Sequence, residues 1–304
     1  MKAIEVSHIV KTYNKGKTLA VDDVSFSVEK GEMFGLIGPD GSGKSSIFRI
    51  LTTLLLPDKG SATVAGHDAV KEYKAIRSIV GYMPGRFSLY QDLSVEENLS
   101  FFATLFNTTI EENYSLIKDI YTQLEPFKTR RAGKLSGGMK QKLALCCALI
   151  HKPEVLFLDE PTTGVDVMSR KEFWEMLKRL QKEGITVLVS TSYMDEANMC
   201  DRIGLIQGGK LLRVNTPSNI IGEYPDRLYA LKAGAPYRLL KDLSAYPERA
   251  DSYSSGAYVH LRFKNPDQGS EGRLLEYLHS KGHEDVELKE TEATVEDCFI
   301  RLME

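Results

Sequence analysis

The sequence has no apolar stretch long enough to cross a bilayer. Its most apolar run, Leu143 to Ile150, falls far short of the ~20 residues a spanning helix requires. A role at a membrane would therefore need a separate membrane partner. Cysteine is scarce. The four present, Cys146, Cys147, Cys200 and Cys298, have neither zinc nor Cys-x-x-Cys spacing, which argues against a zinc cluster or a redox pair and for reduced thiols. Cys146 and Cys147 stand in an apolar helix, where core packing is the expected role. An excess of one charge is also missing. With 39 basic against 42 acidic residues and a net charge of −3, no global electrostatic case for binding nucleic acid exists. Met1 to Val6 includes an acid and no long apolar core, so a signal peptide is not expected. No internal repeat or low-complexity tract occurs. What remains is ordinary: 304 residues, 42% hydrophobic and 27% charged, enough for a sizeable core in one large domain or two smaller ones.

One stretch organises the rest, Gly38-Pro39-Asp40-Gly41-Ser42-Gly43-Lys44-Ser45-Ser46. It follows the apolar run Met33 to Ile37, which reads as a short buried strand, and precedes Ile47 to Leu51, which reads as the start of a helix. Gly38, Gly43, Lys44 and Ser45 occupy the fixed places of G-x-x-x-x-G-K-[ST]. Glycines let backbone N–H groups turn inward around a phosphate, and the helix start adds unpaired donors and partial positive charge. Lys44 adds a point charge for the outer phosphates, and the Ser45 hydroxyl suits Mg²⁺.

In chain order, Ala3 to Val10 and Val21 to Val28 alternate as half-buried strands, with a turn-rich basic stretch from Lys11 to Lys17 between them. Ser61 to Val64 and Ile79 to Met83 read as short strands. The segment from about 88 to 135 carries helical periodicity instead. Ser94-Val95-Glu96-Glu97 is a capping box opening one helix, and Tyr114 to Leu124 forms a second, ending near Pro126. The segment is a helical insert. Next come a helix Leu143 to Ile150, an apolar strand Val155 to Leu158, a helix from about Arg170 to Lys182 and a strand Thr186 to Val189. Alternating strands and helices imply a mainly parallel, covered sheet with its ligand at the carboxyl ends of the strands. From about Pro225 the alternation weakens. Strands at Leu228 to Leu231, Tyr258 to Phe263 and Val286 to Leu288, a helix at Gly272 to Ser280, and a last helix capped by Thr294-Val295-Glu296-Asp297 suggest a small α+β appendage. The expected domains are 1–222 and 225–304.

The apolar strand ending in Asp159-Glu160, downstream of a phosphate loop, is what metal-assisted nucleotide hydrolysis needs. Asp159 suits Mg²⁺, directly or through water, and Glu160 suits orienting the attacking water.

With these motifs in order, the chain resembles the ATP-binding subunit of ABC transporters over nearly its whole length. Gly38 to Ser46 looks like Walker A, Leu156 to Glu160 like Walker B with its catalytic glutamate, and Thr163-Gly164-Val165-Asp166 like the D-loop. Leu135-Ser136-Gly137-Gly138-Met139 looks like the signature motif, the most discriminating of the set. The resemblance implies a P-loop NTPase core with an N-terminal antiparallel β subdomain, ATP and Mg²⁺ as ligands, and Tyr13 as the aromatic that stacks on adenine. Lys44 and Glu160 would carry hydrolysis, with Ser45 and Asp159 at the metal. It also implies a head-to-tail dimer in which Ser136, Gly137, Gly138 and Asp166 close on the partner's ATP. A helix start at Ser136 is physically suited to hold an anion, and one chain cannot bring both helix starts to the same phosphate.

Tyr193-Met194-Asp195-Glu196-Ala197, Cys200-Asp201-Arg202-Ile203 and Thr294 to Phe299 resemble the subgroup serving exporters with ABC-2 type membrane subunits. That implies an ATPase on the inner face of the cell membrane, cytoplasmic and peripheral. Its expected partners are integral membrane permease subunits and a second ATP-binding subunit, identical or not, and no nucleic acid. Phe87, Leu89, Tyr90, Phe101 and Phe102 are candidates for the groove that receives the permease. Multidrug or small-molecule efflux is the family-level expectation. The competing reading is a soluble ABC-type ATPase acting on ribosomes, or a nucleotide-dependent regulator.

Two positions depart from the family pattern. Where Gln usually follows Gly-Tyr-x-Pro and contacts Mg²⁺, this chain has Gly85, with Gln91 as a possible substitute. Where His usually follows Ser-Thr and contacts the γ-phosphate, it has Ser192, a shorter side chain that can donate one hydrogen bond and lacks the imidazole charge. Asp40 and Ser46 are milder changes. The expectation is intact nucleotide binding with slow or asymmetric hydrolysis.

Overall fold

The computed structural model describes residues 1–303. The chain opens with a long antiparallel hairpin, β1 (Lys2–Tyr13) and β2 (Thr18–Glu29). The turn expected across Lys11 to Lys17 is shorter than the composition suggests. Lys11, Thr12 and Tyr13 continue β1 by pairing with Val21, Leu19 and Thr18 of β2, and Asp58 fastens the first two. Lys11 Nζ donates to Asp58 Oδ1 at 2.8 Å, while the Thr12 backbone and hydroxyl donate to Oδ2 at 2.6 and 2.7 Å. These bonds, the one from Lys11 foremost, hold the Asp58 carboxyl down to about 2.

β3 (Met33–Ile37), α1 (Lys44–Leu51), β4 (Lys59–Val64) and β5 (His67–Asp68) come next. β2, β1, β4 and β5, in that order, make an antiparallel sheet. After α2 (Tyr73–Ile79) and β6 (Val80–Met83), the helical insert supplies α3 (Val95–Leu105) and α4 (Tyr114–Tyr121). The capping box at Ser94 is formed as its sequence predicts: Glu97 N–H donates to Ser94 Oγ, and Ser94 N–H donates to Glu97 Oε2. Fully buried Asn98 ties α3 to the preceding turn through the Tyr90, Leu93 and Ser94 carbonyls.

α5 (Gly137–Leu149), β7 (Val155–Asp159), α6 (Val167–Lys182), β8 (Thr186–Thr191), β9 (Arg202–Gln207) and β10 (Lys210–Asn215) complete this unit. The main sheet has the order β10-β9-β3-β8-β7-β6, parallel except for β10 at the edge. Its central strands β3, β7 and β8 are buried at every residue, as uniformly apolar strands covered on both faces must be. Phe26 stacks on Phe34 with ring centroids 5.3 Å apart, packing the antiparallel sheet onto the main one. The α/β class, the N-terminal antiparallel sheet and the helical insert expected from the sequence are all present. No helix among the described residues is long and apolar enough to cross a membrane.

The chain divides into two compact units, Met1–Pro217 and the segment from Ser218 onward. α7 (Pro217–Gly222) begins at that boundary. The second unit has β11 (Leu228–Lys232), α8 (Pro236–Ser244), β12 (Arg249–Ser255), β13 (Tyr258–Phe263), α9 (Ser270–Ser280), β14 (Glu287–Thr291) and α10 (Val295–Leu302). An antiparallel sheet, β12-β13-β11-β14, shares a core with α8 and α9. β12 and α8 escape a reading of the sequence. β12 is polar at nearly every position, and α8 offers only Leu239 and Leu243 to the core as fully buried residues.

Asp297 anchors α10. Its Oδ1 accepts from the Tyr253 hydroxyl at 2.6 Å and pairs with His260 Nδ1 at 2.7 Å, and its Oδ2 accepts from Thr294 N and Oγ1 at 2.6 Å each. Burial alone would raise this carboxyl, but the bonds from His260, Thr294 and Tyr253 outweigh it and hold the group down to about 2. A depressed carboxyl stabilises the fold above its unfolded pKa of about 4, and the gain is lost as pH falls toward 2. Thermal melts should therefore fall between pH 4 and pH 2.5. An Asp297→Asn chain should melt about 5 °C or more lower at pH 7 and show a smaller acid dependence. Equal acid slopes in the two proteins would refute this role.

Candidate nucleotide site

β3 lies between β8 and β9, so the loop after it leaves the middle of the sheet at the carboxyl ends. Gly38 N–H donates to the Thr191 carbonyl at 3.2 Å and fixes the base of the loop. A Cβ at Gly38 would stand 2.1 Å from the Ile206 carbonyl oxygen. Gly43 is required twice over. Its φ is 107°, and a Cβ there would stand 2.3 Å from the Ala20 carbonyl oxygen. It caps α1 without a side chain, and the first turn of α1 holds no acid, so the helix start keeps its donors and its partial charge.

Lys44 is 3% exposed. Its Nζ donates to the Gly38 and Pro39 carbonyls at 2.7 and 3.0 Å and pairs with Glu160 Oε1 at 3.2 Å. Glu160 adopts φ 49°, the left-handed region, at the residue where the strand turns into the next loop. A cavity of about 240 Å³ is lined by Ala20, Gly41, Gly43, Lys44, Ser45, Ser46 and Glu160. A glycine-lined cradle at a helix start with one buried cation suits a phosphate chain.

Asp159, 4% exposed, ends β7, and strand register sets it opposite Ser190. Ser190 Oγ donates to Asp159 Oδ1 at 2.6 Å and accepts from Glu160 N–H at 3.0 Å. One hydroxyl thus ties the Asp159 carboxylate to the backbone of Glu160. No group of three or more His, Cys, Asp or Glu among the described residues is arranged to hold a metal. A cation held by Ser45 and Asp159 would therefore need phosphate oxygens as further ligands, which matches a metal that arrives with a nucleotide. Ser190→Ala should lower turnover about 10-fold with little change in nucleotide affinity, because it loosens the acids and leaves the cradle intact. Steady-state turnover beside a nucleotide titration checks this.

Tyr13 reaches the same loop, its hydroxyl 3.1 Å from Ser46 Oγ. Pro39 and Asp40 lie at the outer turn of the loop, Asp40 exposed. Ser192 follows β8 directly beyond Thr191, the residue paired with Ile37. Gly85 is beside the acids as well, since a Cβ there would stand 3.1 Å from the Asp159 carbonyl oxygen. The position adjoins the site, but the residue offers it no side chain. Gln91 does not replace the missing amide. It lies against Gly133, whose N–H donates to its carbonyl at 2.9 Å in the insert.

The structure holds Ser136, Gly137 and Gly138 apart from this cavity, whose lining includes none of them. Ser136 caps α5, its Oγ accepting from Met139 N–H at 3.3 Å. A Cβ on Gly137 would stand 3.3 Å from the Gly164 carbonyl, and one on Gly138 would stand 3.1 Å from Ser169 Oγ. The signature stretch is thus seated on the segment containing Asp166, which caps α6 by accepting from Ser169 N–H at 3.0 Å. Just beyond it, Val167 and Met168 are 81% and 67% exposed.

A groove of about 770 Å³ lies elsewhere in the first unit, lined by Leu54, Met83, Leu89, Phe102, Leu105 and His151 among others. Of the five sequence candidates, Leu89 and Phe102 line it. Phe101 instead packs edge-on against Tyr90 and Phe102, and Lys140 lies over the Phe87 ring. Sequence reasoning places Ser190 at a ligand-facing strand end without giving it a partner, and it misses the bonds of Thr162 and Glu196 altogether. Their partners are set by sheet register, which no local pattern reveals.

Residues 21–163 match the family model described as ABC transporter. The chain is 40% identical over 290 residues to the probable multidrug ABC transporter ATP-binding protein YbhF of Escherichia coli K12, covering 93% of this chain and 49% of that one. It therefore spans about half the length of that relative. It is 33% identical to the Nod factor export ATP-binding protein I of Rhizobium sp. strain N33, covering 99% of this chain and 96% of the relative. The doxorubicin resistance ATP-binding protein DrrA of Mycobacterium tuberculosis is 37% identical over 246 residues, covering 80% and 73%. Among solved structures, cbiO1 from Clostridium perfringens superposes with a TM-score of 0.65 at 25% identity, over 73% of this chain and 91% of that one. The ATP-binding cassette MJ0796, solved as a dimer bound to ADP and Pi, gives 0.63 at 26% identity, over 70% and 98%.

Proposed function

The chain belongs to the ATP-binding subunits of the ABC transporter family, and we propose that it binds MgATP and hydrolyses it to drive a membrane exporter of the ABC-2 type. The observation that carries this is that Lys44, Ser45 and Glu160 line one cavity at the carboxyl ends of β3 and β7, where Lys44 pairs with Glu160 and Asp159 is the residue before Glu160 at the end of β7. Bound there, ATP would meet the loop N–H groups and Lys44 through its phosphates, with Tyr13 near the adenine. Ser45 and Asp159 would hold Mg²⁺, which supplies charge neutralisation at the phosphates. Glu160 would orient water at the γ-phosphate, its carboxylate fixed by the turn it makes at the strand end.

Because Ser136 to Gly138 lie away from this cavity, completing the site takes a second ATP-binding subunit placed head to tail. The exposed Val167 and Met168 beside Asp166 suit such a contact. The apolar groove suits a helix of an integral membrane permease. That pairing would hold the subunit at the inner face of the membrane, and the relatives' names suggest a small-molecule cargo. Gly85 and Ser192 leave the γ-phosphate with fewer contacts than the family pattern supplies, so turnover should be slow, or supported by a partner subunit with a complete site.

Purification of the tagged chain from detergent-solubilised membranes tests the reading. An integral membrane protein should co-purify, together with a second ATP-binding subunit if the sites are unequal. Recovery of the chain only from the soluble fraction, bound to ribosomes, would contradict it.

A further inference from the structure

Glu196 is 3% exposed, yet it is a carboxylate. Three donors converge on it from three different segments. Thr162 Oγ1, two residues beyond Glu160, donates to Oε1 at 2.8 Å. Arg170 Nε, from the first turn of α6, donates to Oε1 at 3.2 Å. Thr191 Oγ1, at the end of β8, donates to Oε2 at 2.5 Å. A buried charge is tolerated only when it is paired and hydrogen-bonded. Here two of the bonds lead to the ends of β7 and β8 beside the site, and the third leads to the start of α6.

The connections continue outward in both directions. Thr191 accepts, through its carbonyl, the Gly38 N–H at the base of the phosphate loop. Arg170 N–H donates to the Asp166 carbonyl, and its guanidinium also binds Asp195 at 3.0 Å and lies over the Tyr193 ring. Gly38, Thr191, Glu196, Arg170 and Asp166 therefore form one continuous bonded chain. It runs from the phosphate loop to the exposed turn at Asp166, Val167 and Met168. Ser192 has no bond in this chain.

We propose that Glu196 is the positioning residue through which nucleotide at the phosphate loop sets the placement of the Asp166 turn. The inference rests on the reading that this cavity binds ATP. Nucleotide that draws on the loop moves Gly38 against Thr191. Thr191 and Thr162 are bonded to the same carboxylate, so their displacement reaches Arg170 and the start of α6. A carboxylate is needed because two oxygens must accept three donors, one of them cationic.

Amide hydrogen exchange of the intact chain, with and without MgATP, tests this. In the wild-type protein MgATP should slow exchange at Gly41 to Ser46 and change exchange at Val165 to Arg170 by about 5-fold or more. Glu196→Gln keeps the volume and loses the charge. Thr191→Val keeps the shape and loses one donor, so it stands in should the buried Gln disturb folding. In both, the loop response should persist and the response at Val165 to Arg170 should vanish, while Thr191→Ser should restore it. A purely structural role would instead raise exchange throughout the chain, with or without nucleotide. The inference fails if the Val165 to Arg170 response is equal in wild type and both variants, or missing in a wild type whose loop responds. No response at Gly41 to Ser46 would overturn the ATP-binding reading itself, and this inference with it.

Discussion

Lys44→Ala should weaken MgATP binding on the order of 10²-fold. Lys44 is the buried cation of the cavity, and it is held in place by two loop carbonyls as well as by Glu160. Removing it strips the outer phosphates of a point charge and leaves the Glu160 carboxylate facing them unpaired, so attraction is lost and repulsion gained together. The fold should survive, because α1 is anchored by Ile47, Phe48, Ile50 and Leu51 in the core. The measurement is a thermal shift. Nucleotide at about 100 times its dissociation constant stabilises a protein by about 2.7 kcal/mol, and the 10²-fold weaker variant should keep only about 0.4 kcal/mol of that. A full MgATP-induced shift in Lys44→Ala would mean that nucleotide binds elsewhere.

Ser136→Asp separates the two halves of the proposed site. Asp caps a helix as well as Ser, so the bond to Met139 N–H and the start of α5 should be retained. The variant places a negative charge at the helix start that would face the partner subunit's γ-phosphate. A single chain should then bind MgATP with unchanged affinity, since Ser136 lies outside the lining of its own cavity. Turnover should fall on the order of 10²-fold, and ATP-dependent association in sedimentation should be lost. Unchanged turnover would show that the site is complete within one chain.

The phosphate loop is legible in the sequence because its chemistry is contiguous. Gly43 must be glycine because of its own φ of 107°, and Lys44 follows it directly, although the Ala20 carbonyl of β2 that also crowds it is invisible in the local pattern. The strand-to-acid transition at Asp159-Glu160 is legible for the same reason. The interior of the site is not. Asp159 meets Ser190 across 31 residues and Thr162 meets Glu196 across 34, contacts that exist only once β7 and β8 pair in register. Glu196 belongs to a stretch whose family resemblance is visible, but its burial is not. Lys11 to Tyr13 read as a turn because their composition is polar and basic. Pairing with Thr18 to Val21 makes them strand, and Asp58, 46 residues from Thr12, holds Lys11 and Thr12 there. Gly85 shows the converse. The sequence reveals the missing side chain, and the structure adds that the position touches the Asp159 backbone, so the loss falls inside the site.

ATP turnover by the purified chain beside its Glu160→Gln variant tests the central claim most directly. The account predicts slow release of phosphate by the wild type and a further loss on the order of 10²-fold or more in Glu160→Gln, with MgATP binding equal in both. Turnover indifferent to Glu160→Gln would contradict it.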